Sequence, residues 1–309
     1  MASLRHRLEF AALLGVKGLA GLLPYRAALA LGWLLAVLGF RLLRFRRAEA
    51  VRRIRSVFGP ELTARRAEAI AWEAFLNFIF TAIESMRGEK VDEAWLQAHL
   101  DEAGFFEALR RHTAESRGAI LALPHMGSWE LAGAACRVRH VPLFSIAGKQ
   151  KNPLFNDYLN RQRSRSGIDI LVRGDATLKQ ALRNLKQGRH FAILPDVRMP
   201  TPGLLVPFLG SIANVGAGMA LFARLANAPL YPVLLKRKGW TRHTLRLLDP
   251  VLPDPAASRE ADLQRMTAEV FARFEQAIRA NPGQWFWYNK RWILDPVAPE
   301  AAAPSEPPV

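Results

Sequence analysis

The stretch Ala119-Ile-Leu-Ala-Leu-Pro-His-Met-Gly-Ser-Trp-Glu130 decides how this chain reads. Ala119 to Leu123 is a short apolar run of the length a buried strand takes. Pro124 has no N–H to give to a ladder and marks its end. Gly127 supplies a flexible turn, Ser128 is a residue type that caps helices, and an amphipathic pattern follows near 129–139. Strand, turn and helix then follow in twelve residues, with His125 at the edge of a sheet and Glu130 in the first helical turn.

The same alternation extends downstream. Leu143 to Ala147, Ile168 to Val172, His190 to Leu194 and Tyr231 to Leu235 read as further buried strands, and Thr244 to Leu248 as an edge strand. Amphipathic segments lie between them, near 153–164, 175–187 and 214–227. Upstream, Trp72, Phe75, Ile79, Ala82, Ile83 and Met86 recur at helical spacing, and Leu263, Met266, Val270, Phe274 and Ile278 mark a closing helix that stops at Asn281-Pro282-Gly283. The fold class predicted is α/β: a central, mostly parallel or mixed sheet flanked by helices.

Strand-to-helix turns are where such sheets carry chemistry. Across the five residues from His125 to Glu130 the carboxylate can return to the imidazole, fix its tautomer and stabilise the imidazolium formed when the ring takes a proton. The pair is therefore a candidate general base for a hydroxyl. No serine nucleophile elbow precedes it, and the spacing is not that of a zinc peptidase, where both imidazoles share one helical face. No metal site is expected.

The N-terminal region, 8–43, is mostly apolar, interrupted by Lys17, Pro24 and Arg26. Its longest uncharged run, Ala27 to Phe40, is shorter than the roughly 20 residues a span needs. A monotopic hairpin or tilted anchor fits it better. Arg41, Arg44, Arg46, Arg47, Arg52, Arg53 and Arg55 follow against the single acid Glu49, and are expected to stay cytoplasmic and meet anionic headgroups. Three parts follow: a membrane-associating helical segment over 1–44, a catalytic body over 45–294 and a proline-rich disordered tail over 295–309.

Composition agrees with a folded, basic protein. Half of the 309 residues are hydrophobic, and 43 Lys plus Arg against 27 Asp plus Glu leave +16. A lone cysteine, Cys136, excludes an intrachain disulfide and suits a reducing compartment. The cations lack the aromatic-interleaved strand motifs of RNA-binding modules and any DNA-reading helix, so no nucleic-acid partner is expected.

These residues resemble the bacterial lipid A biosynthesis acyltransferases, the lauroyl and myristoyl transferases within the wider glycerolipid acyltransferase superfamily. The likeness runs through the apolar basic N-terminus, Pro124-His125 to Glu130, Asn152-Pro153 leading to Arg161 and Arg163, Leu194-Pro195-Asp196, Val206-Pro207-Phe208, and Trp285-Phe-Trp-Tyr-Asn-Lys-Arg-Trp292. It implies transfer of an acyl chain from an acyl thioester to a hydroxyl of a lipid A precursor at the cytoplasmic face of the inner membrane. His125 would be the base and Glu130 its orienting partner. Arg163 would match the family's functional arginine, and Asp196 the aspartate of its Pro-Asp-Gln motif, with Val197 in place of the glutamine and Arg198 next.

A thioester needs an activated oxygen nucleophile and a stabilised oxyanion, so no cofactor is expected beyond acyl-carrier protein or acyl-CoA as co-substrate. Arg161, Arg163, Asp196, Arg198 and Ser128 are candidate substrate contacts, to a phosphorylated lipid acceptor or to the donor. A lysophospholipid, a phosphatidylinositol mannoside or an aminolipid is the alternative acceptor. The tryptophans of 285–292 suit either a bilayer's headgroup level or core packing.

Overall fold

A computed structural model describes residues 3–115, 117–147, 152–154, 157, 158, 161, 165, 167–172, 174 and 176–295. Two apolar helices come first, α1 (Leu4–Leu22) and α2 (Tyr25–Val37), broken at Pro24 as the sequence implies and followed by a π-helical turn, Leu38–Leu42. Then come α3 (Arg47–Phe58), α4 (Ala64–Met86), α5 (Glu93–His99) and α6 (Phe105–Ala114). Thr63 and Asp92 cap α4 and α5 by accepting the N–H groups of Arg66 and Trp95.

The strands are β1 (Leu100–Asp101), β2 (Ile120–Ala122), β3 (Leu143–Ala147), β4 (Ile168–Val172), β5 (His190–Ile193), β6 (Leu204–Phe208), β7 (Ser211–Val215), β8 (Leu230–Lys238) and β9 (Arg242–Leu247). Between and after them lie α7 (Trp129–Val138), α8 (Thr177–Lys186), α9 (Gly218–Ala226) and α10 (Arg259–Ala280). Seven strands form one sheet in the order β1-β9-β8-β2-β5-β3-β4, parallel throughout except for the β8–β9 hairpin.

Side chains alternate across the strands and divide the core into two layers. Ala119, Leu121, Leu123, Tyr231, Val233 and Leu235 pack with α5, α6 and α7, against Phe105, Phe106, Leu109 and Ala135. Ile120, Ala122, Leu230 and Leu234 face the other way, toward α4, α8, α9 and α10. A strand buried on both faces reads as an unbroken apolar run, which is why these strands stood out in the sequence.

Four features differ from the expectation. Thr244 to Leu248, expected at the sheet's edge, falls mostly in β9, which lies between β1 and β8. The two-residue β1 was too short to carry a pattern. The expected helical segment 214–227 begins as β7, the second strand of a separate antiparallel ribbon with β6, and turns helical only at Gly218. Leu209 and Gly210 both sit at positive φ, as a tight two-residue hairpin turn requires, and Glu275 accepts the Leu209 N–H at 2.6 Å. Finally, not all seven N-terminal arginines face outward. Arg53 is buried and donates to the carbonyls of Trp287 and Asn289, and Arg46 donates to that of Tyr288. Unpaired carbonyls of the C-terminal segment take these guanidinium groups; Arg44, Arg52 and Arg55 are exposed.

The N-terminal helices pack on the body. Gly32 of α2 comes so close to α4 that a Cβ there would lie 3.1 Å from Ile83 and 3.4 Å from Phe80. The expected tail beyond residue 295, and most of the expected helix 153–164, lie outside the described residues.

Candidate active site

Strands β2 and β5 are parallel neighbours, with Ile120 opposite Phe191 and Ala122 opposite Ile193. Carried three residues further, that register sets His125 against Asp196. Each follows a Leu-Pro pair, and each proline stops the ladder so that the next side chain leaves the sheet at its carboxyl end. The His125 ring meets the carboxylate there: Nδ1 lies 2.7 Å from Oδ1 of Asp196.

The second oxygen of Asp196 accepts the His125 backbone N–H at 2.7 Å and the Trp285 indole N–H at 2.8 Å. Side-chain exposure is 1% for Asp196 and 25% for His125. Burial alone would push the carboxyl up, but the imidazole beside it and three hydrogen bonds hold it below the usual aspartate range. An ionised, acceptor-only carboxylate on Nδ1 requires a proton on that nitrogen. In the neutral ring, Nε2 then carries the free lone pair.

The C-terminal segment builds the rest of the site. Met126 and Trp285 form an antiparallel bridge, Phe286 N–H donates to the His125 carbonyl at 2.9 Å, and Gly127 N–H donates to the Gln284 carbonyl at 2.9 Å. A small pocket opens beside the ring, lined by His125, Asp196, Trp285, Phe286, Asn289, Arg291, Trp292 and Ile293. The edge of Trp129 meets the imidazole with 5.3 Å between ring centroids, and Phe286 stacks on Phe78 at 4.6 Å. An imidazole, aromatic walls and one arginine thus share a site at the end of the central strands.

Residues 2–293 match the family model of the bacterial lipid A biosynthesis acyltransferases. The chain belongs to this family. A phosphatidylinositol mannoside acyltransferase of Mycobacterium tuberculosis is 27% identical over 222 residues, 69% of this chain and 66% of that protein. Its namesake in Mycolicibacterium smegmatis is 26% identical over 184 residues, 58% of each chain. A lipid A biosynthesis acyltransferase of Haemophilus influenzae is 22% identical over 194 residues, 61% of this chain and 59% of that protein. The matched stretches span slightly less than two thirds of these relatives' lengths.

For this lipid A acyltransferase family member, the expected site residues separate. His125 stands at the pocket. Its Nδ1 faces Asp196, expected as a substrate contact, rather than Glu130, expected to orient the ring. Glu130 is half-buried in the first turn of α7. Ser128 occupies the N-cap position of α7, but its hydroxyl makes no cap bond and it is not among the residues that line the pocket: it is wholly buried, and the hydroxyl donates to Glu84. Arg198 is half-buried and donates to the Asp295 carbonyl at 2.9 Å, Arg161 is exposed, and Arg163 lies outside the described residues.

Two kinds of site residue escaped the sequence reading. Trp285, 160 residues after His125, comes back through the chain's closing turn, and nothing local to it signals a carboxylate partner. Asn77 and Thr81 of α4 donate to the Gly127 carbonyl at 3.0 and 2.9 Å. Their signal was present: with Glu84 they form a polar stripe at i, i+4 and i+7 on a helix face that is otherwise apolar.

Proposed function

We propose that this chain is a membrane-associated O-acyltransferase that moves a fatty acyl group from a thioester to a hydroxyl of a phosphorylated glycolipid. The observation that carries this reading is the Asp196-held His125 ring at the edge of an aromatic pocket. Nε2 takes the proton of the acceptor hydroxyl as its oxygen attacks the thioester carbonyl. The tetrahedral oxyanion collapses, the C–S bond breaks, and the imidazolium returns its proton to the leaving thiolate. Asp196 stabilises the positive ring throughout and gives up no proton.

The acceptor we favour is a lipid A precursor, following the family to which the chain belongs. A mannosylated phosphoinositide is the second reading, supported by the two mycobacterial relatives described above. Acyl-carrier protein is the proposed donor, because a protein of net charge +16 attracts an acidic carrier. Arg161, Arg163 and Arg198 are proposed as phosphate contacts, together with Arg291, the arginine in the pocket's lining. Exposed Leu34, Leu38, Leu42, Leu43 and Phe45 beside Arg41 and Arg44 support attachment to the cytoplasmic face of the inner membrane.

The test is direct. Purified protein is incubated with acyl-carrier-protein and CoA thioesters, against lipid A precursors and phosphatidylinositol mannosides, and products are read by mass spectrometry. Transfer to one acceptor class, abolished in His125→Ala with the fold intact, is expected. Transfer to none, or activity surviving in His125→Ala, refutes the reading.

A further inference from the structure

Behind the turn that carries His125 lies a group of buried polar side chains that are not among the residues lining the pocket. Glu84 sits at its centre. One carboxylate oxygen lies 2.6 Å from Arg237 and 2.5 Å from the Tyr25 hydroxyl, with the His243 ring at 3.3 Å. The other accepts from Arg237 at 2.7 Å and from the Ser128 hydroxyl. Arg237 Nε donates to Asn77 at 3.0 Å, and Asn77 and Thr81 hold the Gly127 carbonyl. Glu84, Asn77, Thr81, Ser128, Arg237 and His243 are all buried.

Burying an ion pair costs more solvation than its attraction returns unless its remaining hydrogen-bonding groups are satisfied, and an apolar set of equal volume often does as well for stability. Here the polar set is concentrated where the fold meets the catalytic turn. Its contacts fall on two consecutive residues, Gly127 and Ser128, immediately after the base and its neighbour. The same carboxylate also receives Tyr25, the first residue of α2, while Arg87, the C-cap residue of α4, grips the carbonyls of Ala20 in the last turn of α1 and of Leu23 just after it. Arg237 and His243 hold the Glu84 carboxyl below the usual range despite burial, so it stays an acceptor for both hydroxyls.

We propose that Glu84 is a positioning residue: its carboxylate fixes the catalytic turn through Ser128 and ties the seating of the N-terminal helical pair to that turn through Tyr25. The proposal rests on the reading of His125 as the base. It predicts that loosening either hydroxyl lowers turnover without weakening substrate binding.

The variants are Ser128→Ala, Tyr25→Phe and Glu84→Gln in the full chain. The readouts are kcat and KM per folded molecule, and amide hydrogen exchange of the peptide covering residues 125–131. Ser128→Ala and Glu84→Gln are expected to lower kcat by about tenfold or more at unchanged KM, in line with small displacements of reacting groups. Exchange across 126–131 rises with it. Tyr25→Phe moves both readouts the same way, and its effect in the double variant with Ser128→Ala is less than additive.

A role confined to stability would lower the melting temperature and leave kcat and local exchange as in the wild type; that result in Ser128→Ala overturns the proposal, whether or not Glu84→Gln folds. If the wild type transfers acyl groups to no acceptor, the acyltransferase reading fails. Exchange across 126–131 in Ser128→Ala then decides the positioning role alone.

Discussion

Asp196 spends both oxygens on a single neighbour and one indole: His125 supplies its ring and its backbone N–H, and Trp285 the third donor. An amide at this position must turn its NH2 toward either the ring or two N–H donors. Asp196→Asn is therefore expected to reduce kcat by about 10³- to 10⁴-fold through the wrong imidazole tautomer, with KM little changed. The carboxyl is depressed in the folded state, so its contribution to stability is complete above about pH 4 and is lost as pH falls through the folded value. Acid titrations followed by circular dichroism should show the stability gap between wild type and Asp196→Asn closing in that window; a constant gap contradicts the pairing. At this scale the sequence singles out His125 and pairs its ring with Glu130, whereas in the fold Nδ1 faces Asp196. Glu130 is near in the chain, whereas the Leu-Pro-His and Leu-Pro-Asp tripeptides match only once strand register brings β2 and β5 together. Register between parallel strands is set by packing across the whole sheet and is invisible in either strand alone.

The turn that carries His125 is clamped between elements, and Gly127 shows how tightly. Its φ is +61°, and a Cβ would lie 1.8 Å from the Leu235 carbonyl oxygen of β8. Both the conformation and the space exclude a side chain. Gly127→Ala is expected to cost at least about 2 kcal/mol and to displace His125, because the backbone of a central strand cannot yield. Denaturant unfolding together with acyl transfer checks this; a variant of wild-type stability would show that the turn has room. Elements buried on both faces were legible: β3 and β4 fall on the residues expected, and α10 ends at Ala280, just before Asn281-Pro282-Gly283. The β6–β7 ribbon was not, because it lies outside the sheet, carries Pro207 and has an irregular burial pattern. The tryptophans of 285–292 resolve one open alternative. Trp285, Trp287 and Trp292 are buried, with Arg53 stacked over Trp292 at 4.8 Å, so they are core rather than headgroup anchors.

Over the whole molecule, apolar surface is distributed unevenly. Most of the large apolar side chains more than two-fifths exposed, among the described residues, lie on α1, α2 and the turn after them: Leu4, Leu8, Leu14, Leu19, Leu22, Leu34, Leu38, Leu42, Leu43 and Phe45. Tyr25–Leu42 would measure about 27 Å as one helix, short of a hydrocarbon core of about 30 Å. One side of it is already committed to α4. A helix covered on one side by protein and greasy on the other lies along a bilayer's surface more readily than across it. Leu42 and Leu43, each 71% exposed, project beside Arg41 and Arg44 and bear little of the fold's packing. Removing two such side chains from a lipid surface forfeits about 1.5 kcal/mol each, on the order of a 100-fold loss in partitioning. The double variant Leu42→Glu with Leu43→Glu should therefore fail to sediment with anionic vesicles at lipid concentrations that bind the wild type, while retaining its melting temperature. Neutral vesicles should bind the wild type more weakly, and added salt should weaken binding only where the lipid is anionic, since the arginines act through charge and the leucines do not. Wild-type sedimentation of the double variant would move the membrane contact to another face, and would detach the seating of α2 from any part in bringing the base to its lipid.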